Sequence, residues 1–497
     1  MNEKKLTWFD HIAVNAYWLG INISSGVITP LLLPYLVLLF MPEEQKNTYL
    51  ANVRVIGLTV AMLIQPLGGM LSDRSTSRFG RRRPFIFGGA LANVVFLAII
   101  GATPLFIGSP LDEFFQSTLG ISTAYAVLLV GIILLQISSN IAQGALQGLI
   151  PDLVPENQRG RSSGVKAVME LLPVFLVIFI GPLIDRGQVG LVMGIVAAGF
   201  LLTMAVTVRF ARETPITQKP VNGIGDRFLR LLALTGIFVG ATRLAVWLVS
   251  TSGSRLTQLG VSREVQIVLI GLAGLAAMAG SILIGVYFGA SVGIGKEARQ
   301  QTSFIWWVIN RLLFLAAVGS IQGFAQFYLR DVLQVPNPAT STTILLAAVA
   351  LFLIPSAIYG GTLADRFGPK RLVRYAGLIA TLGTVVLLFA PNFPIVILSG
   401  CIIGLGTGTF YASNWALGTE LVPPHEAGRY LGISNLAGAG AGIVGAGIGG
   451  PLADFFNKIE PGLGYLVIFA IYGALFLFSV LTLTKVRLPD QPATRRI

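Results

Sequence analysis

Cysteine is nearly absent. Cys401 is the single one in 497 residues and lies in an apolar run, so no disulfide framework holds this chain. Histidine is almost as scarce, with only His11 and His425, and no metal-ligand spacing, P-loop or His-Glu-x-x-His occurs. Enzymatic chemistry has no visible apparatus, and neither a metal nor a cofactor is expected. Charged residues make up only 11%, against 54% hydrophobic residues and a mean hydropathy of +0.77, which excludes an ordinary soluble globule. Acids are the scarcer sign, 22 against 35 Lys and Arg, for a net charge of +13. Nucleic acid would suit such a charge, but basic loops between membrane spans account for it better, and no nucleic-acid partner is expected.

What the chain has in quantity is long apolar runs. Runs of about 20 residues qualify as membrane helices. Six precede residue 210 (9–41, 49–72, 85–106, 122–150, 162–184 and 188–209), and two follow (228–250 and 264–290). Six more complete the chain (304–329, 341–364, 372–391, 393–419, 430–453 and 464–486). The first run is too long for a cleaved signal segment and has no small-residue cleavage site, so it reads as the first span. With the N-terminus cytoplasmic, 26 of the 35 Lys and Arg fall on that side, six fall outside and three lie within spans. This asymmetry supports the count of fourteen and predicts that both termini are cytoplasmic, in a cell (plasma or inner) membrane.

The reading is therefore an all-α membrane protein of two pseudo-symmetric six-helix bundles with two inserted helices. The predicted layout is residues 1–213, a linker with the inserted pair over 214–302, and 303–497. The repeat is visible in three loops. Gly68–Phe87, GGMLSDRSTSRFGRRRPFIF, has a shorter copy in Gly360–Arg371, GGTLADRFGPKR. Asp152–Gly164 matches Glu420–Gly432, and Gly181-Pro-Leu-Ile-Asp185 matches Gly450-Pro-Leu-Ala-Asp454. Parallel six-helix halves with a site between them describe a secondary transporter.

The paired G-x-L-x-D-R loops resemble the signature of the major facilitator superfamily, and Arg212-Glu-Thr-Pro215 looks like its mid-chain motif. Ser72–Ile86 is similar to the corresponding loop of plant-type sucrose transporters, relatives of the glycoside–pentoside–hexuronide cation symporters. Ile28-Thr-Pro30, Asn140-Ile-Ala-Gln-Gly144 and Pro151-Asp-Leu153 share that likeness. The resemblance implies alternating-access transport of a sugar or glycoside. Two carboxylate positions of the pattern are occupied here by Gln65 and Gln136, so cation coupling does not carry over with the fold.

The polar residues inside the predicted spans suggest the pathway. Gln136, Asn140, Gln143 and Gln147 share one helix face, as do Asn15, Trp18, Asn22, Ser25 and Thr29 on the first helix. Arg311, Gln322 and Gln326 form a third stripe. Such stripes must face a cavity or partner helices, because unpaired amides in hydrocarbon cost several kcal/mol. The substrate-binding set is thus Trp18, Asn22, Gln136, Asn140, Gln143, Arg311, Gln322 and Gln326, with interhelical bonding as the bland alternative. Glu170 is the one acid clearly inside a predicted span; it is either a proton-coupling group or half of an i,i+4 pair with Lys166. The basic loops read as gates: Asp73, Arg74, Gly80, Arg81 and Arg161 in the first half, Asp365, Arg366 and Gly368 in the second. Asp73 is expected to accept from Arg161 or from helix N-terminal amides. Arg54 is expected to reach the outer surface, and Arg243 to snorkel or pair structurally. Gly440, Gly442 and Gly445 spell G-x-G-x-x-G inside an apolar helix, which means close packing rather than a nucleotide site. Partners are a small-molecule substrate, the bilayer and protons. The competing readings are export of an amphipathic compound and a non-transporting receptor or assembly factor.

Overall fold

The computed structural model describes residues 6–211, 213, 225–293, 301–422 and 427–488, apart from the side chains of 119, 227, 293 and 427–437. Arg212, Thr214, Pro215, Lys296, Arg299 and His425 lie outside the described residues, as does the side chain of Arg429. Fourteen helices among them are long and apolar enough to cross a membrane. The first six are α1 (Trp8–Phe40), α2 (Glu43–Asp73), α3 (Arg83–Gly101), α4 (Thr123–Leu153), α5 (Glu156–Phe179) and α6 (Val189–Phe210). The inserted pair is α7 (Phe228–Gln258) and α8 (Arg263–Val292). The last six are α9 (Thr302–Asp331), α10 (Pro338–Phe367), α11 (Pro369–Leu388), α12 (Phe393–Leu421), α13 (Gly438–Ile459) and α14 (Leu463–Lys485). The chain is an integral multi-pass membrane protein, all helical, with every predicted span present.

The chain divides into two compact units. The first comprises Met1–Lys46, Val60–Leu229 and Asn337–Ile344; the second comprises Asn47–Thr59, Arg230–Pro336 and Leu345–Ile497. Two helices are therefore shared. Within α2 the stretch Asn47–Thr59 belongs to the second unit, and the start of α10, to Ile344, belongs to the first. The inserted pair belongs to the second unit, where α8 packs on α9, α13 and α14.

In the first unit α1 packs on α5 and α6, and α3 packs on α4 and α6. Backbone regularity fails in three of these spans: α4 is interrupted at Gly148, between Thr123–Gln147 and Leu149–Leu153, and α1 and α5 break more deeply. In α1 the stretch Ile28–Leu32, which contains Pro30, is a π-helix. In α5 the α-helix stops at Leu171, and Pro173–Leu176 and a 3₁₀ turn at Val177–Phe179 follow before Gly181–Asp185. Proline removes an amide donor and clashes with the preceding turn, so Pro30, Pro173 and Pro182 mark these breaks. The second unit is built around α9, whose Phe304, Trp307, Phe314, Phe324 and Phe327 are fully buried. Phe314 stacks on Phe410 of α12 with centroids 3.7 Å apart. In the glycine run, Gly442 faces Leu58 and Gly445 faces the carbonyl of Ala316, the close helix approach that small residues permit.

Candidate functional site

Three groups of polar side chains stand out, and each is built within one unit. The first lies on α1, α4 and α5. Trp18 is buried, and the Lys166 ammonium sits 4.3 Å from its ring centroid while reaching the Glu170 carboxylate at 3.2 Å. One lysine thus links an aromatic face to the acid one helical turn further on. Lys166 and Glu170 each keep about a third of their side-chain surface accessible, at 32% and 35%. Asn140 donates to the side-chain oxygen of Gln136 at 2.9 Å and to its carbonyl at 2.8 Å. Asn22 donates to the Trp18 carbonyl, and Asn15 to the hydroxyl and carbonyl of Ser162. Part of each stripe is therefore spent on local bonds. Gln136 and Gln143 remain partly accessible.

The second group centres on α9 and α12. Arg311 donates to the side-chain oxygen of Asn414 at 3.2 Å and lies 5.4 Å from the Trp415 ring centroid. Asn414 donates in turn to Asn310 at 2.9 Å, and the Trp307 indole donates to the Asn414 carbonyl. Further along the predicted stripe, Gln326 is buried and Gln322 is exposed. Asn310, Asn414 and Trp415 were not singled out from the sequence. Their signal was only a polar or aromatic residue within an apolar run.

The third group is the loop after α2. Gly80 has φ +100°, and a side chain there would strike Glu213, so position 80 must be glycine. Glu213 accepts from the backbone amides of Arg82 and Arg83. Burial pushes its carboxyl above the ordinary range, with the Asp152 charge adding to this, while the two amides and Arg82 oppose it. Arg82 is the hub. Its guanidinium reaches Asp152 at 3.0 Å, Asp73 at 2.5 Å and the Ser72 hydroxyl at 2.6 Å. Arg81 holds the same Asp152 with two donors. Asp73 thus takes Arg82, whereas the Arg161 guanidinium lies 6.0 Å from the Trp8 ring centroid. Arg74 makes no side-chain bond among the described residues. The shorter copy behaves differently. Gly368 again has positive φ, at +86°, but Asp365 and Arg366 are exposed and Arg366 lies against Phe367. That copy lacks the Ser72 and Arg82 equivalents that tie the first loop down.

The repeated Gly-Pro-Leu-x-Asp segments gain a structural role that sequence reasoning missed. Asp185 accepts from the amides of Ala339 and Thr340 at 3.0 and 2.8 Å, and from the Thr340 hydroxyl at 2.6 Å. Asp454 accepts from the amides of Asn47 and Thr48 at 3.2 and 2.7 Å, and from the Asn47 side chain at 2.8 Å. Each carboxylate satisfies orphan amides in the first turn of a helix and meets the positive end of its dipole. Each aspartate follows a glycine in close contact with the same helix start, Gly181 on Thr340 and Gly450 on Asn47.

Two six-helix sets, positive-φ loops after α2 and α10, and polar clusters inside the spans define the fold of a secondary transporter. The family model described as the Major Facilitator Superfamily matches residues 20–446, with a second match over 309–496, and the chain belongs to that superfamily. It is similar to a general alpha-glucoside permease of Schizosaccharomyces pombe, with 29% identity over 213 residues, 41% of this chain and 37% of that protein. It is also similar to a sucrose transport protein of Arabidopsis thaliana, with 26% identity over 226 residues, 42% of this chain and 37% of that protein. The aligned stretch thus spans little more than a third of either relative. Among solved structures, a D-xylose-proton symporter matches with TM-score 0.62 and 16% identity over 97% of this chain and 99% of that one, a likeness of fold.

Proposed function

We propose that this protein is a secondary transporter carrying a small neutral solute rich in hydroxyls, a sugar or glycoside, across the cell membrane by alternating access. The observation that carries the reading is the Trp18–Lys166–Glu170 group, an ion pair on an aromatic face within membrane spans, with the Gln136–Asn140 amides on α4 of the same unit. Amides and an indole suit a polyol, giving donors, acceptors and an apolar ring face without a net charge. The similarity to an alpha-glucoside permease and a sucrose transport protein supports the same solute class.

Glu170 is the proposed proton site. When its carboxylate takes a proton, the pair with Lys166 loses its charge attraction, and the ammonium keeps only the Trp18 face. The loop Asp73–Arg82–Asp152, with Gly80, Arg81 and Arg161 beside it, and its lighter counterpart Asp365–Arg366–Gly368 are the proposed gates on the side of the termini, which we assign to the cytoplasm. The Asp185 and Asp454 caps are the proposed gates on the opposite side, made in one conformation and broken in the other.

Uptake of radiolabelled sucrose and maltose into proteoliposomes, with and without an inward proton gradient, tests the reading. Gradient-stimulated accumulation supports it, and loss of accumulation in Glu170→Gln with equilibration retained supports the coupling site. Accumulation undiminished in Glu170→Gln removes that residue from the mechanism. Absence of uptake of either sugar removes the solute class.

A further inference from the structure

Arg54 stands eight residues inside the helical run that begins at Lys46, about 12 Å along its axis. At that depth a charge is costly, and arginine cannot shed its proton to escape the cost. The side chain does not run outward to the surface. It turns onto α9, where one terminal nitrogen donates to the Gly319 carbonyl at 2.9 Å. The other terminal nitrogen, Nη1, is buried with no hydrogen-bond partner. The guanidinium lies so close to Gly323 that any side chain at that position would overlap it. Beside this notch, the buried Ser320 hydroxyl faces the Tyr472 phenol of α14.

The other two arginines that the sequence places within spans also meet neutral groups. Arg311 rests on Asn414 and the Trp415 ring, and Arg243 reaches the side chain of Asn52 at 3.3 Å. Arg54 makes no ion pair among the described residues, and its one bond is to a neutral carbonyl. Asp454, the carboxylate on neighbouring α13, is already occupied by the amides of Asn47 and Thr48. A guanidinium presents donors only, and a largely buried one with an unpaired N–H and no carboxylate partner calls for an anion. The glycine notch limits that anion to a small one.

We propose that Arg54, with the Gly319–Gly323 notch and Ser320 of α9, forms a binding site for a small monovalent anion, either a halide or a carboxylate. A single negative charge neutralises the guanidinium and fills its open donor.

The test uses the full chain purified in detergent. Thermal unfolding is followed by intrinsic fluorescence while chloride or formate replaces HEPES at constant ionic strength. An anion bound only by the folded protein raises the midpoint saturably. A rise with chloride alone identifies a halide site, and a rise with formate identifies a carboxylate site. Arg54→Gln should abolish the saturable rise, and Arg54→Lys should weaken apparent affinity by about tenfold or more, the loss expected for one charge-assisted hydrogen bond. Saturable binding of radiolabelled chloride to the wild-type protein, displaced by formate or not, supports the site without needing a variant to fold. A wild-type midpoint insensitive to both anions, or an Arg54→Gln protein with undiminished dependence, overturns the proposal.

Discussion

Arg82 shows how a run of three arginines is divided by geometry. Its side chain is 7% exposed and holds two carboxylates and a hydroxyl at once, whereas that of Arg81, at 23%, serves Asp152 alone. A planar fork can do this and a lysine cannot. Arg82→Lys should therefore cost about 2–4 kcal/mol of stability, measured by denaturant or thermal unfolding, and Arg81→Lys distinctly less. Glu213 makes a second prediction, on pH. Burial, then the Asp152 charge, raises its folded-state value above that of the unfolded chain. The folded state then holds the proton more tightly, so this group favours folding below the ordinary glutamate range near 4.3, and that contribution is lost as pH rises through the raised value. Glu213→Gln should flatten this dependence and stay within about 1 kcal/mol of wild type near neutrality. Glu213→Ala, which strips the Arg82 and Arg83 amides of their acceptor, should cost about 1–3 kcal/mol. Equal pH profiles for wild type and Glu213→Gln would remove the argument.

Among the elements, α1, α4 and α5 are each interrupted. Glu170 sits one residue before the α-helix of α5 stops, and the π-helical stretch of α1 begins ten residues after Trp18. Irregular backbone at membrane depth is tolerated where it lines a cavity or is covered by protein, and transporters commonly place their sites at such breaks. The starts of α2 and α10 depend on remote carboxylates. No local side chain caps the first turn of α2, so Asp454 supplies what a neighbouring Ser or Asp would otherwise provide. Asp454→Ala and Asp185→Ala should each destabilise by about 0.5–2 kcal/mol. Hydrogen exchange should quicken at the amides of Asn47 and Thr48 in the first variant and of Ala339 and Thr340 in the second. Exchange that quickens across the whole chain instead would show general unfolding rather than a lost cap.

For the molecule as a whole, the even number of spans has a direct topological consequence. If each of the fourteen candidate spans among the described residues crosses once, the segments before the first and after the last lie on one side of the membrane. Epitope tags at the N- and C-termini should be protected from protease together in right-side-out vesicles and cleaved together in inverted ones. Opposite behaviour of the two tags would mean that one helix does not cross. The inserted pair α7–α8 leaves this parity intact, so the second half can repeat the first in the same orientation.

The spans were legible from sequence because hydrocarbon imposes a length and a polarity on each helix by itself. The repeat was legible because Gly68–Phe87 and Gly360–Arg371, and the two Gly-Pro-Leu-x-Asp segments, keep their order along the chain. The Lys166–Glu170 pair followed from helical spacing alone. Contacts between distant segments did not follow. Nothing in the spacing of Arg81, Arg82 and Arg83 ranks Arg82 first, because its partners include Asp152, seventy residues away. Asp185 and Asp454 read as loop acids until α10 and α2 begin beside them. Arg54 reads as a snorkelling residue until Gly319 and Gly323 open a notch for it. Periodicity reports which face of a helix is polar. Which group meets that face depends on tertiary packing, since the energy of a buried charge or hydrogen bond is set by the partner across the interface.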